Sequence, residues 1–156
     1  MKKIPNDLFF DWVETEIAKG HSVRFRLKGH SMFPLLRNGK DEVMLYPCTE
    51  KELSPMDIVL FKYKGKHLLH RILHKDGNYL LIQGDGSYFA KEECVSNDVI
   101  GKVHLIIRPS GKIQSVNDWS WKFPSFLWQK TRFIRPFLLR FLSMPSLLSN
   151  FKFKKH

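Results

Sequence analysis

Cysteine is scarce in this sequence, which limits how the fold can be stabilised. Only two of the 156 residues are cysteines, Cys48 and Cys94, whereas small secreted proteins built on disulfides use many more. We therefore interpret both as inert thiols on β segments and exclude a disulfide framework. A chain of this length buries a core without covalent cross-links.

Long apolar runs are also missing. The longest stretch without Lys, Arg, Asp or Glu is eleven residues, Phe141–Phe151, while a spanning helix needs about 20 apolar residues. The basic start, Met1–Lys3, is followed by Ile4–Asp7 and not by the apolar core of a secretory signal. We therefore expect no transmembrane helix and no export signal, and a location on the cytoplasmic side of the membrane.

Acidic residues are absent from one long segment. Residues 119–156 contain eight Lys and Arg and no acid, whereas residues 1–118 contain eighteen basic and fifteen acidic residues. Most of the formal net charge of +11 therefore belongs to this segment. Such a segment suits an anionic partner, either lipid headgroups or nucleic acid. Because no nucleic-acid motif accompanies it, we do not expect nucleic acid as the partner.

The same basic segment is rich in aromatic residues. Residues 119–156 hold ten of the chain's twenty-one, and Phe133, Phe137 and Phe141 recur at helical spacing. We predict that this tail either lies peripherally at an anionic membrane surface or packs on the rest of the protein as a helical cap. Three prolines divide it into two short helical pieces at most: Pro124, Pro136 and Pro145.

The rest of the chain predicts a mainly β fold. Residues 1–20 favour a helix that is capped at Asn6–Asp7 and stopped by Gly20. From Val23 the apolar period changes to two, which is typical of a half-buried strand. Closely spaced short strands predict coiled sheets over residues 21–117, followed by the helical basic tail at 118–156. The predicted strands are 23–27, 42–46, 58–63, 67–74, 79–83, 99–107 and 113–116.

A serine follows the first predicted strand directly. Ser31 lies in the tight segment Gly29–Pro34. A sharp exit from a strand can present a serine hydroxyl and its own N–H toward one cleft, as a nucleophile with an oxyanion hole requires. Taken by itself, a serine at this place is more often an ordinary turn residue, because serine is favoured in turns. Ser31 therefore becomes a candidate nucleophile only if a base lies beside it.

Three histidines on one predicted strand are the candidate bases. His67 and His70 are three positions apart and so face opposite sides of a strand, and His74 lies about 13 Å beyond His70. Only one of the three can therefore lie beside a fixed serine. Because these side chains diverge, we expect no metal site and no cofactor, and we interpret His67 and His74 as surface residues.

Four ordered segments within residues 23–107 resemble a known family. Ser31–Pro34 resembles the Ser-Met-x-Pro box of type I signal peptidases and of their self-cleaving repressor relatives. Met56–Phe61 is similar to their Gly-Asp-Ile-Val-x-Phe box, and Gln83–Ser87 to their Gly-Asp-Asn box. His70 stands where most bacterial members carry a lysine base, and a histidine there marks the endoplasmic-reticulum and archaeal branch.

This resemblance implies a serine endopeptidase that removes an extended leader or signal segment from a precursor peptide. Ser31 would form the acyl-enzyme and His70 would act as general base, which suits an imidazole with an ordinary pKa of about 6.5. Asp85 would either orient His70 or only bond its own turn. The alternative is a non-catalytic peptide- or membrane-binding module that keeps the same scaffold.

The sequence departs from the family pattern at several positions. Gly29 stands where many signal peptidases have a serine that aids the oxyanion hole, and Met56 replaces a glycine. Lys91 stands where the endoplasmic-reticulum branch has a further acid, with Glu92 and Glu93 next to it. The third catalytic residue is therefore Asp85, a neighbouring glutamate, or absent. If His70 is not the base, a lysine such as Lys62 or Lys91 must be.

Overall fold

The computed structural model describes residues 5–143 as one antiparallel β-sheet with three α-helices. This confirms the predicted mainly β fold with an N-terminal helix and helices in the basic segment. The elements are α1 (Asn6–Ala18), β1 (Val23–Arg26), β2 (Glu42–Tyr46), β3 (Ile58–Tyr63), β4 (Lys66–Asp76), β5 (Tyr79–Gln83), β6 (Glu92–Val95), β7 (Val99–Ile107), β8 (Ile113–Ser115), α2 (Trp119–Lys130) and α3 (Arg135–Ser143).

The strands are ordered β1-β2-β7-β3-β4-β5-β6, and β8 pairs with β7. One edge of β7 is shared, because its first half pairs with β3 and its second half with β8. Three register shifts interrupt the ladders, at Met44/Leu45, Leu60/Phe61 and Ile72/His74. Irregularities of this kind bend strands and increase their twist, which gives the coiled sheet its curvature.

The sheet separates two apolar cores. In β3, Ile58 and Leu60 pack into the core shared with α1, β1, β2 and β7, whereas Val59 and Phe61 pack into the core of β4, β5 and β6. Successive side chains of a strand point to opposite faces, so a strand buried on both faces is continuously apolar. This explains why residues 58–61 show no alternation.

Helix α1 packs on the first core through Val13 and Ile17. It ends at a left-handed glycine, Gly20, with φ of +89°, as the sequence predicts, because such a φ carries little cost only in glycine. Its start differs from the prediction. Pro5 is at the N-cap, no side chain caps the helix, and Asn6–Asp7 form its first turn.

Strand β6 has no counterpart among the predicted strands. Of its residues Glu92–Val95, only Cys94 is buried. It is an edge strand that pairs with β5 alone, so it lacks the alternating apolar pattern of a half-buried strand. Because β6 is missing from the predicted strands, the sequence-based prediction also lacks the part of the candidate site that this strand contributes.

The basic segment joins the protein body through α2. Trp121 lies in the first core, and Trp128 and Ser125 are buried beside it. The described part of the segment forms two short helices, as predicted. Pro124, however, lies inside α2 and does not divide it. It removes one backbone hydrogen bond, and the packing of the two buried tryptophans keeps the helix continuous.

No helix within residues 5–143 is both long enough and apolar enough to cross a membrane. Pro145 lies outside the described residues.

Candidate active site

The Ser31 segment is a rigid, solvent-facing loop. Ser31 itself is exposed, but the next residue, Met32, is buried, and Leu36 anchors the far end of the loop in the first core. Gly86 donates a backbone hydrogen bond of 2.8 Å to the Ser31 carbonyl. The Ser31 N–H makes no hydrogen bond within residues 5–143. This N–H is therefore available to a ligand.

The imidazole of His70 is held by a carboxylate on one side. His70 is 6% exposed, and its Nδ1 lies 2.9 Å from Oε2 of Glu92. A carboxylate accepts a hydrogen bond from Nδ1–H, which leaves Nε2 as the nitrogen that can take up a proton. In the part of the chain that the structure describes, Nε2 has no hydrogen-bond partner.

Gly84 lies between the Ser31 backbone and the His70 imidazole and allows the two to approach each other closely. A Cβ atom at position 84 would lie 2.5 Å from the Ser31 main-chain oxygen and 3.1 Å from Nε2 of His70. The serine loop and the proton-accepting nitrogen therefore border the same small volume, and only a residue without a side chain fits between them. The Ser31 hydroxyl and the imidazole are not hydrogen-bonded to each other among the described residues.

Asp85 makes no hydrogen bond to His70, which corrects its assignment as a catalytic residue that orients the imidazole. Its carboxylate receives two hydrogen bonds from the guanidinium of Arg71, of 2.9 and 2.7 Å, and one of 3.0 Å from Gln129. Asp85 and Arg71 are both almost fully buried. Arg71 follows His70 in the chain and Asp85 follows Gly84. This ion pair therefore fixes the backbone positions of both His70 and Gly84.

Strand parity decides between the two neighbouring glutamates. Glu92 and Cys94 point inward from β6, whereas Glu93 is exposed. Glu92 is therefore the alternative that the structure brings to His70, one position after Lys91, where the family resemblance places an acid. Sequence reasoning named the pair of glutamates but lacked the strand that separates them.

The other candidate bases are engaged or exposed elsewhere and do not accompany Ser31 and His70 at Gly84. The ammonium of Lys62 is 2.7 Å from Glu14 of α1. This hydrogen bond raises the pKa of Lys62, so the amine stays protonated at neutral pH and is not available to accept a proton. Lys91 is exposed. His74 is on the surface, as predicted, but His67 is not, because it stacks on Phe10 of α1 with ring centroids 5.2 Å apart.

Two further groups of reactive side chains do not contribute to the site. Asp11, Glu14 and His67 place one ligand atom each within 4.8 Å of one another, but Lys62 already neutralises Glu14, which opposes a metal cation. Cys48 and Cys94 are free thiols. Burial raises the pKa of both to about 11, so they are protonated and unreactive at neutral pH.

A largely apolar groove of about 540 Å³ includes Ser31 in its lining. Residues 24–29 line one side and residues 67–69 line the other, with Phe9, Phe10 and Met32 among the remaining lining residues. Both sides present unpaired strand edges within residues 5–143. β1 pairs only with β2, and β5 pairs with β4 only from Arg71 onward. Backbone groups at such edges can pair with an added strand.

Comparison with known proteins does not assign the chain to a family. No protein-family model matches it, and no curated protein is significantly similar to it. The function must therefore be inferred from the site itself. That site consists of an exposed serine, a histidine held by a glutamate, and a glycine that lets the two approach each other.

Proposed function

We propose that this protein is a serine endopeptidase of the signal-peptidase type, with Ser31 as nucleophile, His70 as general base and Glu92 as the acid that orients it. The proposal depends mainly on one observation: His70 is bonded to Glu92 through Nδ1, and its Nε2 borders the Ser31 loop at Gly84. This is the order of groups that activates a serine hydroxyl.

The reaction divides into two steps. Nε2 of His70 takes the proton of the Ser31 hydroxyl while Oγ attacks the scissile carbonyl, and the Ser31 N–H donates to the developing oxyanion. His70 then gives that proton to the leaving amine, and water hydrolyses the acyl-enzyme through the same base. Glu92 stabilises the imidazolium in both steps. The serine–histidine hydrogen bond forms when substrate closes the groove, since such bonds often tighten only in the complex.

The groove favours an extended peptide as substrate. A peptide laid between β1 and β4 would gain backbone hydrogen bonds from both free edges, which is the β-addition mode of recognition. Its alternate side chains would enter the apolar groove lined by Phe10, Phe25 and Leu69. A leader or signal segment of a precursor peptide is apolar and unfolded, so it meets both requirements.

The second candidate is a peptide-binding module without catalysis. Gly29 provides no hydroxyl for the oxyanion, and this favours a scaffold that binds a peptide but does not cleave it. The two functions differ in the reactivity of Ser31. A fluorophosphonate probe attacks only an activated serine, whereas a binding module leaves Ser31 an ordinary alcohol.

The test combines probe labelling with turnover of a peptide library followed by mass spectrometry. We expect the protein to be labelled at Ser31 and to cleave library peptides, and we expect Ser31→Ala to abolish both. The matched control is Ser110→Ala, which changes another exposed serine outside the site and should leave both unchanged. Binding of peptides by the wild-type protein without labelling or cleavage would favour the module.

A further inference from the structure

Helix α2 carries large apolar side chains on its solvent-facing side as well as on its buried side. Its inner side buries Trp121 and Trp128, which accounts for its attachment to the protein body. Its outer side combines Lys122 and Lys130 with four large apolar side chains that face solvent. Large apolar side chains exposed together normally mark an interaction surface, so the outer side is a candidate docking surface. The outer residues and their exposed fractions are Trp119 (79%), Phe123 (58%), Phe126 (55%) and Leu127 (54%).

Helix α3 and the turn before it extend this exposed surface. Phe133, Phe137 and Phe141 are 97%, 76% and 73% exposed. The helix is fixed in this orientation by Arg135, which is 1% exposed, donates to the Ser87 carbonyl at 3.2 Å and lies over the ring of Trp128. The phenylalanines are therefore held outward by a buried anchor.

The charges within the segment that carries these aromatic residues all have one sign, although Asp57 and Asp118 border it near Trp119. No acidic residue occurs in residues 119–143. Four basic side chains are exposed there, and the ammonium of Lys130 lies 5.0 Å from the ring centroid of Phe126. Aromatic rings mixed with cations suit the headgroup region of an anionic bilayer. The four are Lys122, Lys130, Arg132 and Arg140.

We propose that the outer surface of residues 119–143 docks on an anionic lipid bilayer, with the phenylalanines in the headgroup boundary and the basic side chains on lipid phosphates. A second copy of the chain is a poorer occupant, because two such surfaces would bring like charges together. Docking would also place the active-site groove near the bilayer, since α3 and the Ser31 loop share a cleft lined by His30, Phe33 and Phe137.

Vesicle flotation of the full chain tests this docking surface. We compare phosphatidylcholine vesicles with and without phosphatidylglycerol. We expect binding only to the anionic vesicles, and we expect added salt to weaken it. Changing Phe133, Phe137 and Phe141 to Ser should reduce binding by at least about tenfold. The matched control is Leu8→Ser with Ile113→Ser, which replaces two side chains that are both 62% exposed outside this surface.

Charge reversal tests the electrostatic part separately. Arg132→Glu with Arg140→Glu should weaken binding to anionic vesicles by at least about tenfold. Lys40→Glu with Lys51→Glu makes the same change of net charge at other exposed positions and should have a much smaller effect. Folding of each variant is checked by its thermal unfolding. Vesicle binding is also measured with Ser31→Ala, which lacks the proposed nucleophile. A failure of the docking proposal can then be told apart from a failure of the proposed peptidase activity.

Three outcomes would overturn the docking proposal. The first is a full chain that does not bind anionic vesicles. The second is equal binding to neutral and anionic vesicles that the charge reversals leave unchanged. The third is a chain that dimerises through the three phenylalanines, seen by light scattering, and does not bind vesicles.

Discussion

Glu92 reaches His70 across an intervening strand. Its Oε2 lies 2.9 Å from Nδ1 of His70, although β6 and β4 are not neighbours and β5 lies between them. The bond therefore depends on the register of two strand pairs at once, in which Ile82 pairs with both Glu92 and Ile72. A one-residue slip of β6 would replace Glu92 with a side chain from the opposite face.

The first prediction concerns this bond. Glu92→Gln should lower kcat of peptide hydrolysis by about a hundred- to ten-thousand-fold, because an amide no longer stabilises the imidazolium or fixes its tautomer. Glu93→Gln is the matched control, since Glu93 is exposed on the other face of the same strand. Steady-state kinetics of both variants are measured across pH. Full activity of Glu92→Gln would remove this residue from the mechanism.

The second prediction concerns the close approach at Gly84. Gly84→Ala should lower activity by about a hundredfold, because the added methyl group collides with the Ser31 carbonyl and displaces the loop from His70. Gly77→Asn is the control. It changes a glycine in an open left-handed turn, a conformation that asparagine tolerates. Peptide turnover and urea unfolding are measured together, and an alanine variant with wild-type activity would contradict the geometry.

The third prediction concerns the buried ion pair of Arg71 and Asp85. Either Arg71→Met or Asp85→Leu should lower the free energy of unfolding by about 3–5 kcal/mol, because each leaves an uncompensated charge in the interior. The double variant should be less destabilised than the sum of the two, because it removes both charges. Urea denaturation of the four proteins measures this cycle. Additive losses would mean that the two side chains do not depend on each other.

The fourth prediction concerns stability in acid. Burial would raise the pKa of Asp41, but hydrogen bonds from Arg37 and the charge of Arg108 outweigh it and lower the pKa below its ordinary value. The stabilisation by a carboxylate with a lowered pKa is complete above its unfolded value of about 3.9. It is lost as pH falls through the folded value. The free energy of unfolding should therefore fall as the pH is lowered from about 3.9 through the folded pKa of Asp41.

Asp41→Asn isolates that contribution. The variant should be less stable than the wild type at neutral pH, and its stability should fall less as the solution is acidified. Asp76→Asn serves as the control, because Asp76 is exposed at the end of β4. Urea unfolding at a series of pH values measures all three proteins. Parallel pH profiles for wild type and Asp41→Asn would contradict the role given to Asp41.

Much of the fold is predictable from local patterns, and the family resemblance identifies Ser31 and His70 as candidates, but the choice of the acid beside His70 is not predictable. Strands such as Glu42–Tyr46 and Tyr79–Gln83 match their predicted bounds, because apolar periodicity and turn residues specify them locally. The partner of His70 depends on an edge strand with one buried residue, so no periodicity indicates it. Asp85 is a candidate because its segment resembles a family motif, yet Arg71, the buried residue after His70, occupies its carboxylate.

The ties between the last helices and the loop after β5 have a consequence for biosynthesis. Trp128 bonds the Asp85 carbonyl, Gln129 bonds the Asp85 carboxylate and Arg135 bonds the Ser87 carbonyl. Translation therefore produces Ser31 and His70 well before the residues that fix the loop between them. If the protein is the proposed peptidase, we expect a chain that ends before residue 135 to be inactive, because this loop then lacks its fixed position.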